Sequence, residues 1–422
     1  MALPPELVAD LFRHRYGRMV AGLCRVLGPA RLDLVEDVVQ EALLRALRVW
    51  PAEGVPEQPE AWVFRVARNL ALDSLRRARI GARIEQHLRQ WVDEADQPVE
   101  PAGDRIADDT LRMLFLCSHP AVPPDARVPL MLKTVCGFGV PAIARALLQK
   151  DATIAQRLVR AKAKLQAGDV AFELPEPGEL AARVDLVLDV IYLVFNEGHR
   201  AHAGDQLVRS DLIDEAIRLL ALVLELPAGA SPKAHALMAL MLLVGARLPA
   251  GTDEYGDLVP LAQQDRTRWN RTWIALGFDH FRASIGGDSL TAWHCEAAIA
   301  SLHAGAPSYA ATDWARIVAE YDRLLLLTPS PVVRLNRAVA IGKLRGPAAG
   351  LREIADLAAD RTLDDYFLLG AVKAQLHWEL GDHVAAAVAL RCALQQPCSE
   401  PERRLVQRRL TACERSEPPP PW

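Results

Sequence analysis

Apolar positions recur three and four residues apart along most of the chain, and strand-like alternation is scarce. That period puts the apolar positions on one face of successive helices, so the pattern predicts an all-α protein. The clearest stretch is Gly137 to Leu165. It predicts a short helix from about Pro141 to Leu148, with Ile143, Ala144 and Leu147 on one face. A tight connection follows at Gln149-Lys150-Asp151, where Asp151 can cap what comes next. In the second helix Ile154, Leu158, Ala161 and Leu165 form a buried stripe. Thr153, Gln156, Arg157, Arg160 and Lys164 form the opposite one. Polar side chains near the N-terminus and cations behind them are the layout of a helix-turn-helix reading helix.

The pattern upstream predicts three more helices. One runs from about Pro4 to Gly28, with Leu7, Leu11, Leu23 and Leu27 inward. Another, Leu34 to Trp50, follows Asp33 as a cap and buries Val35, Val38, Ala42, Ala46 and Val49. Its other face carries Asp37, Gln40, Glu41, Leu44 and Arg48, and a leucine within an acidic stripe reads as a contact surface. Pro51 to Pro59 reads as a proline-rich loop. The third helix, Glu60 to about Arg79, buries Val63, Ala67, Ala71 and Leu75. Arg65, Arg68, Asn69 and Arg76 line its outside, with Trp62 and Phe64 at its start. Cations there can track a nucleic-acid backbone while aromatic or amide groups hold unstacked bases.

Beyond Glu173-Leu-Pro-Glu-Pro-Gly the composition shifts to Ala- and Leu-rich helices. They are expected near residues 182–195, 210–224, 232–248, 262–281, 289–303, 313–327, 331–344, 347–359, 364–380, 384–395 and 400–413. Gly346 and Gly381 are separated by close to the roughly 34-residue period of tetratricopeptide repeats. Small residues follow each glycine, Ala355 and Ala358 in one unit and Ala386 and Ala393 in the other, with Ala358 and Ala393 at the same offset. Asn196, Glu197, His199, His202 and Asp205 invite comparison with a metal site, but H-x-x-H with flanking carboxylates more often caps a helix end. Asp265-Arg266 and Trp269 read as a polar helix start with a buried aromatic.

Composition changes the picture little. A net charge of −4 does not mark a nucleic-acid binder, but the distribution does. Arg65, Arg68, Arg76, Arg77, Arg79 and Arg83 crowd one segment, and Arg157, Arg160, Lys162 and Lys164 another. The seven scattered cysteines, without a CxxC, fit reduced thiols in a cytoplasmic protein. No signal peptide stands out, and no apolar run reads as long enough to span a bilayer. No nucleophile–base–acid set or phosphate loop appears, so neither catalysis nor a cofactor is expected.

DLVEDVVQEALLRALRVWP followed by PEAWVFRVARNLALDSLRRAR resembles region 2 of the sigma-70 family of bacterial transcription initiation factors. The extracytoplasmic-function class fits best. Gly137 to Leu165 resembles that class's region 4, in the same order and spacing. The resemblance implies a region 2 domain over residues 1–92, a linker over 93–108, a region 4 domain over 109–170 and a helical extension over 180–415. It implies that Asp37, Gln40, Glu41 and Leu44 dock on the β′ clamp helices of core RNA polymerase. Arg65, Arg68, Asn69, Asp73, Arg76 and Arg77 would open and read the −10 element of promoter DNA. Thr153, Gln156, Arg157 and Arg160 would read the −35 element. The β subunit of polymerase and a protein partner of the C-terminal half are further expected contacts, and a membrane is not. Leu148 stands where region 4 has a turn glycine, and Pro129 interrupts the preceding helix. A free-standing DNA-binding regulator with a repeat-type sensor domain is the rival reading.

Overall fold

A computed structural model describes residues 16–77, 103–199 and 210–415, apart from residues 148, 169, 255, 288, 359–362, 364, 365 and 397. Among the described residues there are 18 α-helices and no strand, so the all-α expectation holds. The chain divides into two compact units. One comprises residues 1–194 and 218–229, and the other residues 195–217 and 230–422.

In the first unit α1 (Tyr16–Leu27), α2 (Leu32–Glu53) and α3 (Pro59–Arg77) pack in sequence. α4 (Gly103–Cys117) packs on α1, and its first turn lies within residues read as linker. α5 (Pro124–Thr134), α6 (Val140–Ala146) and α7 (Asp151–Ala167) pack on one another. Val35, Val38, Ala42 and Ala46 of α2 are buried and Val49, read as inward, is half-buried, while Val63, Ala67, Ala71 and Leu75 of α3 are all buried. These are the stripes that the helical period selects.

Two prolines behave differently from expectation. α2 continues through Pro51 to Glu53, so the loop is shorter than the Pro51–Pro59 reading. α5 continues through Pro129, which is buried. A proline costs one backbone hydrogen bond in a helix, and surrounding packing can outweigh that loss. Neither Asp33 nor Asp151 caps its helix. Arg31 and Lys150 occupy the cap positions, and the acids fall inside the first turns. Leu7, Leu11 and Leu148 lie outside the described residues.

α1 approaches the end of α5 very closely. A Cβ on Gly17 would lie 1.9 Å from the carbonyl oxygen of Val135. Gly137, at φ +68°, sits against the Tyr16 ring, where a Cβ would fall 3.2 Å from a ring carbon. The elements resembling regions 2 and 4 thus share one packed body.

α8 (Pro177–His199) and α9 (Ser210–Leu224) each contribute residues to both units. The second unit continues with α10 (Pro232–Gly245), α11 (Arg271–Ser284), α12 (Ala292–Gly305), α13 (Trp314–Leu327), α14 (Pro331–Arg345), α15 (Pro347–Ala358), α16 (Phe367–Glu379), α17 (His383–Leu394) and α18 (Glu400–Arg415). Residues 262–281, read as one helix, are instead two 3₁₀ turns (Leu261–Gln263 and Arg266–Arg268) followed by α11. Asp265 accepts hydrogen bonds from Thr267 and Asn270 caps α11, which breaks the run into pieces.

From α13 onward each helix packs on the next, with a core that passes along the series. Ile317, Ile341 and Ala349 share one cluster, Leu335, Ile354 and Leu376 another, and Phe367, Leu390 and Val406 a third. Pro232–Ala250 is long and apolar enough to cross a membrane, which corrects the reading that no such run exists. It packs against α11 and α12, and 72% of its apolar window is buried, as in the central helix of a packed bundle.

Candidate nucleic-acid interface

α7 presents two faces. Ile154, Leu158, Ala161 and Leu165 are buried against α5 and α6, as the periodicity predicts. On the other side Gln156 and Arg160 are exposed, and Thr153 and Arg157 are half-buried. The two arginines share one acceptor: Arg157 Nε and Arg160 Nη2 each lie 3.1 Å from Asp125 Oδ2, in the first turn of α5. Asp125 is well exposed, so these pairs are weak and exchangeable.

Lys162 behaves differently. The sequence groups it with the basic face, but its Nζ lies 2.7 Å from Asp33 Oδ1 and 2.7 Å from Glu36 Oε2, both on α2. The Glu36 side chain is only 4% exposed. Desolvation opposes the Lys162 ammonium, yet Glu36 and Asp33 outweigh it and hold its pKa above the ordinary value. Periodicity could not find this pair, because its members are far apart in the chain. The available signal was Glu36 itself, an acid between the core positions Val35 and Val38.

On α2, Asp37 and Leu44 are exposed, whereas Gln40 and Glu41 are half-buried. Glu41 accepts a hydrogen bond from Arg45 Nε at 3.1 Å within the same helix. Leu47 stands one turn beyond Leu44, and the two are 43% and 41% exposed. The reading of a single leucine in the stripe therefore missed half of the apolar surface. The i, i+3 spacing was the signal.

On α3, Arg65, Asn69, Asp73 and Arg76 are exposed and Arg68 is half-buried. The Arg68 guanidinium donates to Asn69 Oδ1 at 3.2 and 3.1 Å, and Arg76 lies 3.7 Å from Asp73. The side chain of Arg77 lies outside the described residues, as do Arg79 and Arg83. Trp62 is half-buried with its ring edge-on to buried Trp50, at 5.5 Å between centroids. That contact makes Trp62 part of the α2–α3 packing rather than a free stacking surface.

The possible ligands His202 and Asp205 lie outside the described residues. Among the described residues no group of His, Cys, Asp or Glu is arranged to hold a metal. All seven cysteines are free thiols, with only Cys392 exposed. Burial pushes the Cys117 thiol up to about 12, so it stays protonated and inert.

Residues 12–80 match the family model described as sigma-70 region 2, and residues 183–285 match a family of unknown function (DUF6596). The uncharacterized protein R00370 of Rhizobium meliloti (strain 1021) is 38% identical over 382 residues, covering 90% of each chain. The probable ECF RNA polymerase sigma factor SigI of Mycobacterium tuberculosis is 27% identical over 150 residues, 35% of this chain and 51% of that protein. ECF RNA polymerase sigma factor SigG of the same species is 28% identical over 174 residues, 35% of this chain and 47% of that one. The likeness thus spans about half the length of either sigma factor. No solved structure matches the chain. The chain belongs to the same family as the R00370 protein, and its N-terminal part carries a sigma-70 region 2 domain.

Proposed function

We propose that the chain is a promoter-specificity subunit of the extracytoplasmic-function class, acting in the cytoplasm on core RNA polymerase and promoter DNA. The match of residues 12–80 to sigma-70 region 2 carries this reading. Residues 1–92 serve as region 2 and residues 109–170 as region 4, joined through residues 93–108. The mechanism is binding, and polymerase supplies the chemistry.

Asp37, Gln40, Glu41 and Leu44 dock on the β′ clamp helices, and the exposure of Leu44 and Leu47 supports an apolar centre for that contact. The β subunit provides a second contact. Arg65, Arg68, Asn69, Asp73, Arg76 and Arg77 hold and read the −10 strand. The exposed Arg65 and Asn69 suit contact with a partner. Thr153, Gln156, Arg157 and Arg160 read the −35 duplex. Phosphates compete well with one exposed carboxylate, so Arg157 and Arg160 exchange Asp125 for DNA. The region over 180–415 acts as a tetratricopeptide-like scaffold for a protein partner. The sequential packing of α13 to α18 supports this assignment, because such stacks offer extended binding surfaces.

The test is reconstituted transcription with core polymerase and the full-length chain, wild type against Asp37→Arg with Leu44→Glu. Loss of core binding and of promoter-specific transcripts by a folded double variant is expected. Undiminished co-purification with core enzyme would remove the docking assignment. Sequence-specific DNA binding without any affinity for polymerase would favour the free-standing regulator.

A further inference from the structure

The second unit contains two half-buried arginines, each with a guanidinium nitrogen sealed from solvent, that the sigma-factor reading does not use. Arg247 follows α10, and Arg266 opens the 3₁₀ turn that precedes Trp269. A hydrogen bond from Asn270 N to Ala246 O, 2.9 Å, holds these two segments together. Arg266 Nη1 donates to the carbonyls of His303 (3.0 Å) and Ala306 (2.7 Å) at the end of α12. Its guanidinium carbon lies 4.3 Å from the centre of the buried Trp269 ring. His303 in turn meets the edge of Trp314, at 5.5 Å between ring centroids.

The polar atoms left over are mainly donors. Arg247 Nε, Arg266 Nη2 and Trp269 Nε1 are sealed from solvent and have no hydrogen-bond partner, and His303 Nδ1 shares that state. No carboxylate forms an ion pair with Arg247 or Arg266 among the described residues. Asp265, the nearest acid in sequence to Arg266, accepts instead from Thr267 N and Oγ1. Burial, with Arg266 beside it, lowers the pKa of Arg247 to about 10. Burial and both arginines lower that of His303 to about 3, so the imidazole adds no charge.

Two neighbouring guanidiniums without a counter-charge are costly in a desolvated site, and orphaned donors add to the cost. An anion that accepts from them removes both penalties. We propose that Arg247, Arg266 and Trp269, with His303 and Trp314 beside them, form a binding site for a small organic anion. Its carboxylate or phosphate sits on the guanidiniums and its body lies against the indole rings. Arginine's planar fork suits either oxyanion, and aromatic walls favour an organic ligand over a bare ion. The site lies wholly within the second unit and stands or falls independently of polymerase binding.

The test is titration of the full-length protein with benzoate, phenyl phosphate and inorganic phosphate at matched ionic strength. Thermal unfolding and tryptophan fluorescence are the readouts. Saturable stabilisation by benzoate or phenyl phosphate is expected, stronger than by inorganic phosphate, and the better of the two identifies the oxyanion. Arg266→Gln and Arg247→Gln should each weaken it about tenfold or more. Arg266→Lys keeps the charge but loses the fork, and should weaken it less, which covers the case of a glutamine variant that does not fold. Three results would overturn the proposal. One is no saturation by any probe up to about 20 mM, far above the range of an ordinary small-molecule site. Another is inorganic phosphate matching both organic probes. The third is wild-type affinity in a folded Arg266→Lys variant and in whichever glutamine variants fold.

Discussion

The two units hold cations in contrasting ways, most clearly at Lys162 in the first and at Arg247 and Arg266 in the second. In the first, Lys162 is met by Asp33 and Glu36, and Arg157 and Arg160 share Asp125. In the second, Arg266 meets two carbonyls and an aromatic ring, Arg247 Nε is without a partner, and neither arginine pairs with a carboxylate among the described residues. A cation answered within the chain contributes to holding that chain together. One left unanswered costs stability unless something outside supplies the charge. Basic sequence alone therefore does not separate structural cations from ligand-binding ones; the neighbouring acids do.

The largest expected effect comes from removing the answered charge at its most buried point. Lys162→Met leaves Glu36 buried without a cation and should lower stability by about 3 kcal/mol. Urea unfolding of the full-length protein measures it. The double variant Lys162→Met with Glu36→Gln should recover much of the loss. A change below about 1 kcal/mol in the single variant would mean that the bridge is dispensable.

Arg247→Met tests the opposite case. Without ligand it should leave stability unchanged or raise it by about 1 kcal/mol, because it removes an uncompensated cation. A large loss would show that Arg247 is answered after all.

Asp257 supplies an intermediate case. It accepts from Arg404 at 2.6 Å and Arg408 at 2.7 Å, tying α18 to the loop before Leu258. The Arg404 hydrogen bond, with both positive charges, holds the Asp257 carboxyl below its ordinary value. A depressed carboxylate pKa contributes stability above the unfolded value and loses it as pH falls through the folded one. Asp257→Asn should therefore cost about 1 kcal/mol near neutral pH, where the arginines remain partly exposed. The gap from wild type should close as pH falls below the ordinary carboxylate value. Urea midpoints at pH 7 and in acid follow it, and a gap that widened in acid would contradict this assignment.

The smallest effect belongs to Asp125→Ala. Its exposed pairs contribute less than about 1 kcal/mol. Freed of them, Arg157 and Arg160 should bind duplex DNA several-fold more tightly, and a gel-shift titration reports the change. Weaker binding would instead mean that Asp125 positions them.

The sequence pattern reached the first unit's helices and buried stripes because adjacent turns of one helix decide them. Ile154, Leu158, Ala161 and Leu165 on α7 illustrate that, as do Val63, Ala67, Ala71 and Leu75 on α3. It also reached the exposed positions of Asp37, Leu44, Asn69 and Arg160. Lys162 eluded it because only tertiary packing brings Glu36 to that lysine. Residues 262–281 eluded it because the side chains of Asp265 and Asn270 bond the backbone locally and divide an otherwise helical run. Trp62 read as a stacking platform, but it is half-buried with its ring edge-on to Trp50.

The contact between Gly17 and the Val135 carbonyl has a mechanical consequence. Nothing larger than hydrogen fits there, so α1 and the end of α5 have one seating and little room to slide within it. Parts fitted that closely separate by a step rather than by gradual yielding, since packed interfaces switch between discrete arrangements. Between α1 and the end of α5, then, the joint has the character of a latch, and traffic through it is expected as counts of open and shut molecules rather than as degrees of bending.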